Sequence, residues 1–403
     1  MKVLMIGWEL PPHNSGGLGV ACFDLCKALA HKGVELEFIL PYRHHSPVDF
    51  MKISSPSNKT IVEIEALGLS YDSYRYIYND GHEEIKDMFD MVRFYEQAVA
   101  DMVDEMTFDI VHAHDWLTFR AALRVKQKRN IPIILHVHSI ESDRAGGNIG
   151  NSLVREIEQQ SFMLADRIIA VSQFTKKTIV KDYGIDPSKI EVVHNSIDTS
   201  GFDNLDDFNS YSYLELLKKN GYRVVSSIGR LTIQKGLTNL LYAAKAVIDN
   251  QPKTIFIIAG SGDQYYELIR LSADLGISGN VFFVGFQRGK KWRDAFSIAD
   301  LFVMPSISEP FGLTPLEAAY YNTPSLITKQ SGVAEVLKNC LIVDFWDINE
   351  MANKIVSFLK NEPIQTVMNE QLAYELDRLS WDDSAEKIIE IYQNHLRSEV
   401  VLS

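Results

Sequence analysis

Two glutamates placed eight residues apart, Glu309 and Glu317, are the residues of this chain whose type and spacing most clearly suggest a role in binding or catalysis. Glu309 follows the apolar run 301–306, which is short and bounded as a buried parallel strand should be. It therefore falls in the loop at that strand's carboxyl end. Open α/β sheets bind their ligands there, and a helix N-terminus that follows attracts anions. We expect Glu309 to bind a ligand.

Glu317 has two interpretations. Pro310 and Gly312 disfavour regular helix in the intervening loop, so the next helix begins near Thr314. Thr314, Pro315 and Glu317 then suit the N-cap, N1 and N3 positions of that helix. Glu317 is either a capping-box carboxylate or a ligand-binding residue, and the two roles are compatible.

A second candidate site is the segment 229–236, Gly-Arg-Leu-Thr-Ile-Gln-Lys-Gly. It begins at the carboxyl end of a predicted strand and opens a helix, so Arg230 and Lys235 flank a helix N-terminus. Two cations at such a position suit a diphosphate. A solvated surface pair is the alternative, but the glycines at both ends favour the phosphate site.

The glycines Gly16 and Gly17 follow the first predicted strand and would let the backbone approach a phosphate or sugar closely. A dinucleotide fingerprint starting at Gly17 would need glycine at Cys22. The second strand also ends at Leu40 without a ribose-binding acid. A nicotinamide enzyme is therefore disfavoured.

Two pairs of histidines each end a predicted strand, His112 with His114 and His136 with His138. Residues two apart share one face of a strand, so each pair could chelate zinc or iron in a metal-dependent hydrolase. Alternatively, His112 and His136 are packed core residues. The spacing leaves both interpretations open.

These candidate loops require two sheets of parallel strands. Strands and helices alternate up to about residue 194, apart from a less regular region with strands near 61–67 and 74–78 and a helix over 83–106. The chain turns polar between Asp198 and Gly221, and a second βα series follows. We predict one domain over residues 1–203, a second over 204–380, and an amphipathic helix from Trp381 onward.

Composition limits the function classes. The chain has 403 residues, 46% of them hydrophobic and 23% charged, and this length suits two or three domains. A net charge of −13 disfavours binding to nucleic acid or to anionic membranes. The early acid Glu9 and the absence of an 18-residue apolar run disfavour a signal peptide and a membrane span. Three cysteines, an odd number, suggest a reducing cytoplasm.

The stretch Glu-Pro-Phe-Gly-Leu-Thr-x-x-Glu at 309–317 resembles the Glu-x7-Glu motif of retaining nucleotide-sugar glycosyltransferases of family 4, relatives of the glycogen and starch synthases. The resemblance implies an α/β GT-B fold, in which two Rossmann-like domains face each other across a cleft and the C-terminal helix 381–403 packs back on the first. It also implies transfer of a hexose, with glucose from UDP- or ADP-glucose as the first expectation, to a sugar or glucan acceptor. No metal or other cofactor is expected.

The resemblance also assigns roles to individual residues. The catalytic group is His138, Arg230, Lys235 and Glu309. Donor binding is assigned to Gly16, Gly17, Arg230, Lys235, Glu309, Phe311, Gly312, Leu313 and Glu317, with the two cations on the diphosphate and Glu317 on the ribose. Acceptor-side contacts are assigned to His114, Asp115 and Arg144. Asn14 stands where bacterial glycogen synthases carry a lysine that touches the donor phosphates.

Two other function classes remain as alternatives. The histidine pairs allow a metal-dependent hydrolase. A non-catalytic nucleotide-sugar-binding protein would keep the motifs of the second half without needing the histidines.

Overall fold

The computed structural model describes residues 1–13, 16–44, 48–57, 61–67, 73–78, 80–202 and 208–402. Contacts divide the chain into two units. The first comprises Met1–Glu141, Gly150–Ser196 and Ser380–Ser403, and the second comprises Ser142–Ile149 and Ile197–Leu379. The expected boundary at 203/204, like Asn14, lies outside the described residues. The change of unit that is nearest to this expected boundary falls between Ser196 and Ile197.

The first unit is built on a parallel sheet of seven strands. Its strands are β1 (Lys2–Ile6), β2 (Glu35–Ile39), β3 (Lys52–Ser54), β7 (Ile110–His114), β8 (Ile133–Val137), β9 (Arg167–Ala170) and β10 (Ile190–Val192). Their order is β10-β9-β8-β7-β1-β2-β3. The central strands β7 and β8 are buried along their whole length because helices cover both faces of the sheet.

Between β3 and β7 lies a small antiparallel sheet of β4 (Ile61–Leu67), β5 (Ser73–Tyr78) and β6 (Glu83–Asp87). The prediction of a single helix over 83–106 was therefore wrong at its start. Residues of β6 alternate between exposed and half-buried and pair with β5. The Asp87 carboxylate accepts the Asp90 N–H and caps the helix that follows.

The helices of the first unit are α1 (Gly17–His31), α2 (Met88–Met102), α3 (Trp116–Arg129), α4 (Glu141–Arg144, whose last three residues belong to the second unit), α5 (Ser152–Leu164), α6 (Gln173–Tyr183) and α14 (Trp381–Leu402). The final helix α14 packs against α1. The Lys32 ammonium lies 2.6 Å from the Glu386 carboxylate, and the Tyr392 hydroxyl is hydrogen-bonded to His112 on β7.

The second unit is built on a parallel sheet of six strands. They are β11 (Arg223–Ile228), β12 (Thr254–Ala259), β13 (Val281–Gly285), β14 (Leu301–Met304), β15 (Ser325–Thr328) and β16 (Leu341–Val343), in the order β13-β12-β11-β14-β15-β16. The order reverses between β11 and β14. Ligands of doubly wound sheets bind at the carboxyl ends of the two strands that flank such a reversal.

The helices of the second unit are α7 (Ser212–Lys219), α8 (Leu237–Asn250), α9 (Tyr265–Asp274), α10 (Gly289–Ser297), α11 (Thr314–Tyr320), α12 (Ile348–Lys360) and α13 (Glu362–Leu376). Apolar side chains of β11, β12 and β14 pack with those of α8 and α12 into one buried core. Within the described part of the chain, no helix is both long and apolar enough to cross a bilayer.

Candidate functional site

Glu309 lies in the loop that follows β14, as its sequence position predicts. Its backbone fixes the loop, because its N–H donates to the Gln330 carbonyl at 2.8 Å and its carbonyl accepts the Gly332 N–H at 2.9 Å. Gly312 has φ +95°, and a Cβ there would come within 3.1 Å of the Glu309 Cγ. Glycine at this position therefore lets the loop close against the glutamate side chain, which is only 9% exposed.

Lys235 lies in the loop that follows β11, directly before Gly236, the N-cap residue of α8. Gly236 takes φ +65°, and a Cβ at Gly236 would lie 2.1 Å from the Pro305 carbonyl oxygen. Only glycine permits this close approach, which brings the loop after β11 against the loop after β14.

The two loops meet in an ion pair. The Lys235 Nζ lies 2.5 Å from the Glu309 Oε2, and the Ser306 hydroxyl donates to the same oxygen at 2.9 Å. Gln234 links the two loops. Its side-chain amide donates to the Ser308 backbone carbonyl at 3.0 Å, and its own backbone carbonyl accepts the Ile307 N–H at 2.8 Å. A cation and a carboxylate are thus held together where the strand order reverses. This pair can bind an anion and a hydroxyl group side by side.

Arg230 stands at the start of the same β11 loop and is half-buried. Its guanidinium donates to the Gln234 side-chain carbonyl at 3.2 Å. Burial raises the pKa of Asp263, and the nearby positive charge of Arg230 opposes that rise. The Arg230 guanidinium is thus held by Gln234, the residue next to Lys235 in the loop that was predicted to bind a diphosphate.

The capping prediction at α11 was wrong by one residue. The helix begins at Thr314, so Leu313 is the N-cap and Thr314 is N1, and no side chain caps the helix. The Thr314 hydroxyl instead lies 3.6 Å from the Met304 sulfur. Glu317 falls at N4, one position beyond the capping-box place. Its ligand-binding role stays a prediction, as do those of the loop residues Phe311 and Leu313.

The four histidines of the first unit form one cluster at the end of β7 and β8. His112 Nε2 lies 3.2 Å from His136 Nδ1, and His114 Nδ1 lies 3.0 Å from His138 Nε2. Their ring centroids lie 4.3–5.4 Å apart, and three of these five ring pairs are stacked while two are tilted. Burial lowers the pKa of His112 and of His138 to about 3, and it lowers the pKa of His114 and His136 strongly as well. The imidazoles are therefore neutral near pH 7.

Two groups of three residues bring potential metal ligands within 4.8 Å of one another, His112 with His114 and His136, and Cys22 with His114 and His138. A hydrolytic zinc site keeps one coordination position open to water. His112, His114 and His136 are at most 1% exposed, and neither group contains a carboxylate. This geometry favours packed core histidines over a hydrolytic centre. All three cysteines are free thiols.

Asp115 follows β7, and its carboxylate holds the backbone of the loop after β8. Its Oδ1 accepts the backbone N–H groups of His138 at 2.7 Å and Ser139 at 3.2 Å, and the residue is 6% exposed. Its φ of +58° is rare for a residue other than glycine and is typical of a site whose geometry is held by its surroundings. Asp115 therefore fixes the loop that carries His138. Both His114 and Asp115 are buried. Their contacts with the acceptor stay predictions.

Gly16 and Gly17 precede and open α1, as expected for a loop that approaches a ligand. The Glu9 carboxylate, which sequence reasoning did not assign, accepts the Gly19 N–H at 3.3 Å. An acid therefore already contacts the first turn of this helix. Donor binding by the two glycines stays a prediction.

Arg144, a predicted acceptor-side residue, lies half-buried on α4. Its neighbour Asp143 was missed by sequence reasoning. The Asp143 carboxylate accepts the Ser308 hydroxyl at 2.5 Å, one residue before Glu309. The two partners are 165 positions apart, so no local pattern could indicate the contact.

Comparisons with known proteins show which sequences resemble this chain. The family profile "Glycosyl transferases group 1" matches residues 215–374, and the profile "Glycosyltransferase Family 4" matches residues 15–200. An uncharacterised glycosyltransferase of Methanocaldococcus jannaschii is 26% identical over 98% of this chain and 98% of its own length. A glycogen synthase of Mycobacterium tuberculosis is 27% identical over 84% of this chain and 80% of its own.

A solved structure shows the same fold. The Anabaena protein HepE, in complex with UDP and glucose, superposes with a TM-score of 0.70 at 18% identity, over 98% of this chain and 100% of its own. The two parallel sheets correspond to the two Rossmann-like halves of the GT-B fold. The matching profiles, the relatives and the fold together show that this chain belongs to the group 1 glycosyltransferases.

Proposed function

We propose that this glycosyltransferase moves a hexose, glucose first, from UDP- or ADP-glucose to a sugar or glucan acceptor, with retention at the anomeric carbon and without a metal ion. The observation that carries the proposal is the ion pair between Lys235 and Glu309 where the strand order reverses between β11 and β14. The glycogen synthase relative and the UDP and glucose bound to HepE support the choice of donor.

The reaction requires this site to stabilise the departing diphosphate and to hold the sugar. The bond from C1 of the sugar to the diphosphate breaks with its electron pair left on the diphosphate oxygen, which needs positive charge nearby. Arg230 and Lys235 supply fixed cations, and the N-terminus of α8 adds a favourable dipole. The acceptor oxygen bonds C1 on the face that the diphosphate leaves, and its proton passes to the departing diphosphate oxygen.

Glu309 has the position for the second task, which is to hold the sugar. Its backbone is fixed on both sides and its carboxylate is oriented by Ser306 and Lys235. A carboxylate so held can accept hydrogen bonds from sugar hydroxyls. When the donor binds, Lys235 turns from Glu309 toward the diphosphate. Glu317 is proposed for the ribose, and His138 for the transferred sugar.

The test is a thermal-shift panel of UDP-, ADP- and GDP-sugars on the full-length protein, followed by transfer assays with the stabilising donor and a range of glucans and small sugars. Proton NMR of the product then reports the anomeric configuration. The proposal expects stabilisation by a glucose nucleotide and an α-linked product from an α-linked donor. A β-linked product, or binding without transfer to any acceptor, would contradict it. The latter result would favour a nucleotide-sugar-binding protein.

A further inference from the structure

We propose that Asp143 is a positioning residue of the donor site, whose buried carboxylate holds the Ser308 hydroxyl and thereby fixes the loop that presents Glu309. The inference rests on the proposed function, because it gives Asp143 a part in the same reaction.

The first observation is where the segment Ser142–Ile149 lies. It follows β8 in the sequence, and the preceding residue Glu141 belongs to the first unit, yet the segment belongs to the second unit by its contacts. Gly146 in this segment packs beside Ile233, and a Cβ there would lie 3.4 Å from the isoleucine Cγ1. Ile233 is two residues before Lys235. The segment therefore touches the β11 loop that carries the lysine.

The second observation is the contact with the β14 loop. Asp143 is 2% exposed and Ser308 is 7% exposed, and the hydroxyl lies 2.5 Å from the carboxylate oxygen. Hydrogen bonds to an ionised acceptor are about twice as strong as neutral ones, and burial leaves neither group a water molecule as a substitute. A carboxylate this deeply buried needs such a partner to be tolerated.

The contact acts on Glu309 through the backbone. Ser308 is held at its side chain by Asp143 and at its carbonyl by Gln234, and the next residue is Glu309. Fixing both groups of Ser308 limits the directions that the Glu309 Cα–Cβ bond can take. Because displacement of a positioning group by about 1 Å can cost a hundredfold in rate, loosening this residue should lower turnover and leave the nucleotide contacts in place.

A role in packing alone would give a different result, and conservative variants separate the two. Asp143→Asn keeps the shape but removes the charge, and Ser308→Ala removes the donor. If the pair acts as a unit, each single variant should lower kcat about tenfold, and the double variant should be no worse than the poorer single one. UDP affinity and the KM for the donor should stay within about threefold of wild type, because neither residue is proposed to touch the nucleotide.

The experiment measures steady-state transfer from UDP-glucose by the full-length wild type, the three variants and Asn148→Ala, with unfolding midpoints to correct for the folded fraction. Asn148 is an exposed residue of the same segment, and its side-chain amide donates to the nearby Ala145 carbonyl at 3.0 Å, so its variant should match wild type. Two outcomes would overturn the proposal. One is a folded Asp143→Asn protein within twofold of wild-type kcat. The other is a double variant whose losses multiply to about a hundredfold.

Hydrogen exchange of the peptide covering 305–312 provides a readout that does not depend on turnover. Exchange should be faster in Asp143→Asn and Ser308→Ala, and unchanged in Asn148→Ala. If the wild type transferred no sugar at all, the proposed function would fail, but this exchange pattern would still show that Asp143 fixes the loop. Unchanged exchange in both variants would overturn the inference whatever the activity.

Discussion

Replacing Lys235 or Glu309 by alanine should change nucleoside-diphosphate affinity in opposite directions, although the two side chains form one ion pair. The Lys235 ammonium lies 2.5 Å from the Glu309 carboxylate, so a diphosphate must compete with Glu309 for the charge of the lysine. Lys235→Ala removes a charge-assisted hydrogen bond to the phosphate, about 1.5–3 kcal/mol, and UDP should bind roughly 10- to 100-fold more weakly. Glu309→Ala frees the lysine, so UDP affinity should stay within a few-fold of wild type, on the tighter side.

The same pair determines the stability change. The Glu309 side chain is only 9% exposed. Lys235→Ala removes its cationic partner and leaves the carboxylate with the hydrogen bond from the Ser306 hydroxyl. Breaking a fully buried pair costs about 3–5 kcal/mol, and we expect about 2 kcal/mol here because a fifth of the lysine side chain is exposed. For a unit of this size, that loss lowers the unfolding midpoint by about 4–8 °C.

Isothermal titration of UDP into the folded variants, with unfolding scans, measures both quantities. Lys245→Ala is the matched control, because its ammonium also lies 2.5 Å from a carboxylate, that of Asp249, on the exposed face of α8. It should change neither UDP affinity nor stability by more than about 0.5 kcal/mol. The reasoning is refuted if Lys235→Ala and Glu309→Ala weaken UDP equally, or if Glu309→Ala weakens it more than tenfold while folded.

Three further predictions concern stability. First, the free energy of unfolding should fall as the pH drops below about 6.5. Burial lowers the pKa of His112 and His138 from 6.5 to about 3 in the folded protein, so between these two pH values the unfolded chain binds protons that the folded protein does not. Urea titrations at pH 7.5 and 5.5 giving the same value would contradict this. Second, Tyr392→Phe removes the hydroxyl bonded to His112 in the core and should cost about 1–3 kcal/mol by urea denaturation, so an unchanged midpoint would count against it. Third, Gly236→Ala should lower the free energy of unfolding by roughly 3 kcal/mol, because the new Cβ would lie 2.1 Å from a carbonyl oxygen and the residue has φ +65°. The control Gly279→Ala should be neutral, because a Cβ at Gly279 meets open space. Comparable unfolding midpoints for the two glycine variants would rule out this account of Gly236.

The sequence was most informative where the chemistry is local. The alternation of strands and helices predicts the two parallel sheets, and each loop at a strand's carboxyl end can be identified from a short run of residues. Arg230, Lys235 and Glu309 all lie in such loops. Parallel strands place these loops on the same edge of a sheet, so the meeting of Lys235 with Glu309 follows from topology once the strand order is known.

Contacts between distant residues were not predictable. Asp143 meets Ser308 across 165 positions, and Tyr392 meets His112 across 280 positions, and neither pair carries a local pattern. Local rules also failed where a competing interaction won. Residues of β6 look helical by composition but pair with β5. Thr314 looks like an N-cap but lies inside α11, so no side chain caps that helix.

The central claim, that fixed cations of the second unit neutralise the departing diphosphate, is tested most directly by the rate of glucose transfer from UDP-glucose with and without excess EDTA. The account predicts the same rate in both conditions, because Arg230 and Lys235 take the place of a metal ion. A parallel measurement on Lys235→Ala should give a rate about a hundredfold lower in either condition. Loss of wild-type transfer in EDTA, restored by added zinc and accompanied by normal activity of Lys235→Ala, would contradict the account and favour the histidine cluster as the reaction centre.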